Sequence, residues 1–116
     1  MHHILVVDDH EDVAYLFERI LKMNGYRVSV AYDAPSALNM ATTDWPDGVV
    51  TDYQMPGMNG VELLGKLRER QADLPAVIVS AYTSDIGAVS GNTRLLSKPI
   101  AFDSLIRTVK SVLEPA

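Results

Sequence analysis

Short apolar runs alternate along this chain with longer segments in which apolar residues recur at helical spacing. The runs have the length of strands, and nearly all of their residues are apolar rather than alternating with polar ones. Such runs are typical of strands in a parallel sheet that helices cover on both faces. We therefore expect five strands, at residues 4–7, 28–31, 49–51, 76–79 and 94–96.

The amphipathic segments predict helices between and after these strands. The first helix is expected from about residue 10 to residue 23. Asp33 and Pro35 indicate the start of a second helix, which continues to about residue 42. Asn59 is a candidate cap for the third helix. The third helix is expected to face inward with Val61, Leu64 and Leu67. Apolar residues recur at helical spacing in the first helix, at Val13, Leu16, Phe17, Ile20 and Leu21, and lie along one face of the last, at Phe102, Leu105, Ile106, Val109, Val112 and Leu113.

The segment between the fourth and fifth strands has a weaker helical signal. Residues 83–92 contain Gly87 and Gly91 and show little helical periodicity. A glycine inside a helix costs about 1 kcal/mol relative to alanine. We predict that the fourth helix is short, irregular or mobile.

The strand–helix alternation, repeated five times, predicts a doubly wound α/β fold. Short loops and right-handed crossovers leave few arrangements. We expect the flavodoxin-like strand order 2-1-3-4-5, with five helices. The 116 residues match a common domain size, and no repeat or linker interrupts them. We therefore expect one domain over residues 1–116.

Composition narrows the function classes. The net charge of −5 argues against a basic patch for nucleic acid or anionic membranes. There is no cysteine, which excludes disulfides, zinc–thiolate sites and thiol nucleophiles. No apolar run approaches the roughly 20 residues of a membrane-spanning helix, and the residues after Met1 lead directly into a strand. We expect no signal peptide and a cytoplasmic location.

Polar side chains follow or close four of the five strands. Asp8 and Asp9 come after the first strand, Asp52 after the third, Ser80 after the fourth and Lys98 near the end of the fifth. In a doubly wound sheet the carboxyl ends of the strands meet at one edge, and ligands bind where the strand order reverses. Three aspartates and one lysine sum to a charge of −2, which one Mg²⁺ ion would cancel. The pattern predicts a magnesium-dependent phosphoryl-accepting site with Asp52 as the nucleophile.

Four segments carry a resemblance to a known family. They are residues 5–9 (Leu-Val-Val-Asp-Asp), 51–60 (Thr-Asp-Tyr-Gln-Met-Pro-Gly-Met-Asn-Gly), 79–81 (Val-Ser-Ala) and 97–99 (Ser-Lys-Pro). In this order and at this spacing, they resemble the receiver domain of two-component response regulators over essentially the whole chain.

The resemblance implies a signalling function rather than an enzymatic one. Asp52 would accept a phosphoryl group from a phosphohistidine on a sensor histidine kinase or a histidine phosphotransfer protein. The domain would assist only its own phosphorylation and dephosphorylation. Modification would then switch contacts with an output domain, an output protein or a second copy of the chain in a homodimer. Direct contacts of this domain with nucleic acid or membrane are not expected.

The resemblance also implies roles for the residues around Asp52. Asp9 would bind Mg²⁺ directly, and Asp8 would bind it directly or through a water molecule. Ser80 and Lys98 would hold the phosphoryl oxygens, with a cis bond between Lys98 and Pro99 that aims the ammonium inward. The implied metal ligands are Asp8, Asp9, Asp52 and the backbone carbonyl of Gln54.

Two features depart from the family pattern. The position three residues before the lysine is usually an aromatic switch residue, and here it is Leu95. Leucine lacks the ring and hydroxyl on which the usual coupling to Ser80 depends. In addition, Ser80 and Lys98 are 18 positions apart, which is several residues shorter than usual. Together these features leave open an alternative, a phosphorylation-independent interaction module with a vestigial acidic pocket.

Other site types match the sequence less well. A phosphatase of the haloacid dehalogenase type would have a second aspartate where Gln54 stands. A cobalamin-binding motif would match Asp8 and His10 but would have glycine in place of Val13. We interpret His10 as a residue of the first helical turn, because magnesium sites favour oxygen ligands.

Overall fold

A five-stranded parallel sheet organises the structure, a computed structural model that describes residues 1–87, 89 and 91–114. The strands are β1 (His3–Val7), β2 (Arg27–Ala31), β3 (Gly48–Asp52), β4 (Ala76–Ser80) and β5 (Thr93–Ser97). In the described ranges, four α-helices flank the sheet: α1 (Glu11–Met23), α2 (Ala34–Thr43), α3 (Gly60–Arg68) and α4 (Phe102–Leu113). The strand order β2-β1-β3-β4-β5 confirms the predicted α/β topology.

Two apolar layers, one on each face of the sheet, form the core. Successive residues of β1 alternate between them, because side chains along a strand point to opposite faces. Leu5 and Val7 belong to a cluster with residues of α2 and α3. Ile4 and Val6 belong to a second cluster with residues of α1 and α4. Burying each such side chain stabilises the fold by about 1.5–3 kcal/mol, so β1 is held firmly from both sides.

The buried face of α3 differs from the predicted one. Val61 is 39% exposed, whereas Leu63 is fully buried together with Leu64 and Leu67. The face that contacts the core is centred on Gly60, Leu63, Leu64 and Leu67, and Val61 is rotated by about 100° from Gly60 around the helix axis.

The apolar stripes of α1 and α4 are also wider than their buried faces. Leu16 in α1 and Phe102 in α4 belong to these apolar stripes, and both are exposed. Phe102 is the first residue of α4. In the part of the chain that the structure describes, no helix combines the length and apolar character needed to cross a membrane.

The connection between β4 and β5 corrects the prediction of five helices. Its described residues contain a single 3-10 turn, Thr83–Asp85, in place of a fourth long helix. Gly87 and Gly91 have φ angles of +75° and +71°, which a right-handed helix does not allow. The prediction of a short or irregular segment therefore holds for the described residues, while positions 88 and 90 lie outside them.

Candidate functional site

The ends of four neighbouring strands bring the predicted site residues to one edge of the sheet. β1 ends just before Asp8, β3 ends at Asp52 and β4 ends at Ser80. The parallel register pairs Asp52 with Val79, and Ser80 with Ser97 of β5. Because all five strands run the same way, their carboxyl ends share this edge. The fold therefore brings the predicted strand-end side chains to a common edge.

Three aspartates and a histidine form a tight cluster at this edge. Asp8, Asp9, His10 and Asp52 each offer one atom that could bind a metal ion, and these atoms all lie within 4.8 Å of one another. Asp8 is 1% exposed and Asp52 is 4% exposed. Carboxylates this close and this buried repel one another unless a cation or a proton intervenes.

The hydrogen bonds of Asp8 and Asp9 leave buried oxygens without partners. Asp8 Oδ1 accepts a hydrogen bond from the backbone N–H of His10 at 2.8 Å. Among the described residues, buried Asp8 Oδ2 and Asp9 Oδ1 have no hydrogen-bond partner. Asp9 Oδ1 does lie 3.3 Å from His10 Nδ1, but without hydrogen-bond geometry. Such oxygens are costly to bury, and they fit the needs of a hard divalent cation.

The pKa of Asp52 reflects this surplus of negative charge. Burial raises the pKa of Asp52 above its usual range, and the charge of Asp8 raises it further. Lys98 opposes both effects, because its Nζ lies 3.5 Å from Asp52 Oδ1. The upward shift prevails, so one ammonium does not compensate the cluster.

Ser80 and Lys98 are joined through the backbone at the tips of β4 and β5. The backbone N–H of Lys98 donates to the carbonyl of Ser80 at 2.8 Å. The hydroxyl of Ser80 accepts a hydrogen bond from the backbone N–H of Tyr82 at 3.1 Å, and it can still donate its own proton. The predicted cis bond between Lys98 and Pro99 is confirmed.

Gln54 and Tyr82 border the site from the two adjacent loops. Each stands two residues beyond a strand end, and both side chains are exposed. The structure places Gln54 in the loop between β3 and α3. The role of its carbonyl as a metal ligand stays a prediction.

Two residues take a larger part in the site than the sequence indicated. His10 precedes α1 as its N-cap, and its Nδ1 lies 3.4 Å from Asp8 Oδ1. Its position next to Asp8 and Asp9 was the only signal for this contact. Gly60 begins α3 and packs so closely that a Cβ atom there would lie 2.5 Å from the carbonyl oxygen of Asp52.

Comparison with known sequences identifies relatives of this chain. The sequence model of the response regulator receiver domain matches residues 4–110. Response regulator MprA of Mycobacterium avium (strain 104) is 37% identical over 114 residues, which cover 95% of this chain and 50% of that protein. Transcriptional regulatory protein PrrA of Mycobacterium tuberculosis is also 37% identical, with 95% and 49% covered. The chain thus spans about half the length of these curated relatives.

Solved structures share the fold over nearly the whole chain. The receiver domain of Francisella response regulator 1452 has 32% identity and a TM-score of 0.87, with 98% of each chain covered. Response regulator TrrA of Thermotoga maritima, in complex with Mg²⁺ and BeF, has 31% identity and a TM-score of 0.87, with 97% of this chain and all of that chain covered. The sequence match, the shared fold and the acidic cluster agree, and the chain belongs to the response regulator receiver domain family.

Proposed function

We propose that this receiver domain switches between two signalling states when Asp52 accepts a phosphoryl group. The observation that carries the proposal is the position of Asp52, which is buried at the sheet edge with the ligand atoms of Asp8 and Asp9 within 4.8 Å and Lys98 at 3.5 Å. The donor would be a phosphohistidine on a sensor histidine kinase or a histidine phosphotransfer protein. We place this exchange in the cytoplasm.

Mg²⁺ is the cation that this donor set fits. The unpartnered oxygens of Asp8 and Asp9 are hard ligands that point to a divalent ion. Asp52 and the backbone carbonyl of Gln54 would complete the protein ligands. When bound, Mg²⁺ supplies positive charge to the carboxylates and to an incoming phosphoryl oxygen.

The transfer itself requires positioning and neutralised charge rather than a conventional active site. An oxygen of the Asp52 carboxylate forms a bond to phosphorus while the bond from phosphorus to the imidazole nitrogen of the donor breaks. The imidazole leaves with the electron pair of that bond. Lys98 holds one phosphoryl oxygen through its ammonium, and Ser80 donates a hydrogen bond to another.

The phosphorylated state would change the contacts of the domain with its output. Phosphorylation replaces the single charge of Asp52 with about two negative charges and adds acceptor oxygens, which draws Ser80 and Lys98 toward the new group. Because the curated relatives are about twice as long as this chain, we propose an output domain, an output protein or a second receiver as the partner. Direct binding of nucleic acid or membrane by this domain is not part of the proposal.

Phosphodonor labelling tests the proposal directly. The purified chain is incubated with acetyl phosphate in the presence of Mg²⁺, and intact-mass spectrometry follows the acyl phosphate. We expect one phosphoryl group on the wild type and none on Asp52→Asn. Asp73→Asn is the matched control, because it removes an exposed carboxylate that lies outside the cluster and should be labelled like the wild type. Equal labelling of Asp52→Asn, or no labelling of the wild type, would reject Asp52 as the acceptor.

A constitutive interaction module is the second candidate. Leu95 in place of an aromatic residue and the 3-10 turn Thr83–Asp85 after β4 favour it. It predicts that partner binding is unchanged by Mg²⁺, by the phosphodonor and by Asp52→Asn. A binding titration with and without beryllofluoride separates the two functions.

A further inference from the structure

We propose that His10 is a nitrogen ligand of the divalent-cation site. The pocket would then add one imidazole to the oxygen ligands proposed above, and it would favour first-row transition-metal ions such as Ni²⁺ more than a purely oxygen-lined site does. The inference deepens the proposed function, because it concerns the cations that the same site accepts.

The position of the imidazole carries the first step of the argument. His10 Nδ1 lies 3.4 Å from Asp8 Oδ1 and 3.3 Å from Asp9 Oδ1. Two adjacent ligands of an octahedral ion with bonds of about 2.1 Å are separated by about 3.0 Å. Small side-chain movements would therefore place this nitrogen and both oxygens around one ion.

An unpartnered carboxylate oxygen in the cluster supplies an independent observation. Asp8 is almost fully buried, and its Oδ2 atom has no hydrogen-bond partner among the described residues. An unpartnered carboxylate oxygen of this kind calls for a cation whether or not His10 takes part. The ligand atom of Asp52 lies within 4.8 Å of those of Asp8 and His10.

Local backbone structure keeps His10 at the cluster. Its backbone N–H donates to Asp8 Oδ1 at 2.8 Å, and its extended conformation turns the chain into α1. The side chain is 68% exposed and makes no capping hydrogen bond. The imidazole is therefore not needed for the helix start, and it is accessible to an ion that enters from solvent.

The ligand set determines which ions should gain from His10. Imidazole suits ions such as Ni²⁺ and Zn²⁺, whereas carboxylates, carbonyls and water suit Mg²⁺ and Mn²⁺. Removing the imidazole should therefore weaken binding of Ni²⁺ by about tenfold and change Mg²⁺ affinity by less than about twofold.

Pulsed electron paramagnetic resonance with Mn²⁺ as the probe tests the ligand directly. We expect a nitrogen coupling from imidazole in the wild type that is absent in His10→Ala. His2→Ala is the matched control, because His2 precedes β1 at the opposite end of that strand, and this variant should keep the coupling. Calorimetric titrations with Ni²⁺ and Mg²⁺ measure the two affinities, and circular dichroism verifies the fold of each variant.

The outcomes separate this inference from the proposed function. A nitrogen coupling that is missing from the wild type, or that persists in His10→Ala, overturns the role of His10. Labelling of Asp52 with Mg²⁺ would still proceed in that case, and the proposed function would stand. If neither Mn²⁺ nor Mg²⁺ binds to the wild type, the role of His10 and the magnesium site both fail.

Discussion

The close packing of Gly60 against Asp52 makes Gly60→Ala an informative perturbation. A Cβ atom at this position would lie 2.5 Å from the carbonyl oxygen of Asp52 and 3.2 Å from the Cα atom of Tyr53. Real Cβ atoms essentially never approach other atoms as closely as 2.5 Å. Both neighbours are backbone atoms, which cannot rotate away as the end of a side chain can. The added methyl group must therefore displace either α3 or the residue proposed to accept phosphate.

The expected cost follows from this geometry. Overpacking of a well-packed site typically destabilises a protein by about 1–3 kcal/mol. For a domain of this size, such a loss corresponds to a fall in Tm of about 4 °C per kcal/mol. The backbone of Asp52 also positions its carboxylate, so we expect slower labelling by acetyl phosphate even in the fraction that remains folded.

Gly65→Ala is the matched control in the same helix. Among the described residues, no heavy atom outside the adjoining helix backbone and the chain neighbours lies within 4 Å of a Cβ built at Gly65, so the substitution adds no clash with them. Alanine is a better helix former than glycine, and we expect a stabilisation of about 0.5–1 kcal/mol. Urea denaturation followed by circular dichroism measures both variants. A Gly60→Ala protein as stable as the wild type, or equal shifts for the two alanines, would refute the packing argument.

Three further predictions concern charge, metal and capping. Burial and Asp8 raise the pKa of Asp52 above its ordinary 3.8, so the folded metal-free protein binds the proton of the Asp52 carboxyl more tightly than the unfolded chain does. Proton binding therefore stabilises the fold fully below the unfolded pKa, and this stabilisation is lost as pH rises through the folded pKa. Denaturation across pH should show that Asp52→Asn removes this part of the pH dependence, and an unchanged slope would contradict the shift. Mg²⁺ at 100 times its Kd should stabilise the wild type by about 2.7 kcal/mol in a thermal melt, and EDTA should reverse this gain. The gain should be smaller in Asp9→Asn, and an undiminished gain would mean that the metal site is wrongly placed. Asn59 and Glu62 exchange capping hydrogen bonds of 2.9 and 3.0 Å at the start of α3, so Asn59→Ala should lower stability by about 1 kcal/mol in urea; no loss would mean that the cap is redundant.

The strands and the strand-end chemistry could be predicted from the sequence because both depend on local patterns. Apolar runs of four residues predicted β1 and β4 to within one residue. Asp52 and Lys98 stand at the ends of predicted strands. A parallel sheet was therefore enough to predict that they lie at one edge. The cis bond before Pro99 was implied by the resemblance to the family and is present.

The features that the sequence did not predict depend on packing between distant segments. Val61 is apolar and correctly spaced, yet it is exposed because the core contacts the face that contains Leu63 instead. The imidazole of His10 reaches the acidic cluster only because the chain turns there into α1. The count of five helices was also wrong: the described residues between β4 and β5 form a 3-10 turn, and Gly87 and Gly91 adopt positive φ angles that a right-handed helix does not allow.

The hydrogen bond between the backbones of Lys98 and Ser80 links the two groups that would grip a phosphoryl ligand. A backbone movement that draws the ammonium or the hydroxyl inward would pull on the other strand tip through this bond. Activation of this receiver would therefore proceed as one concerted displacement of paired strand tips. Mutations at either tip should accordingly alter the same kinetic step, and their effects should not add.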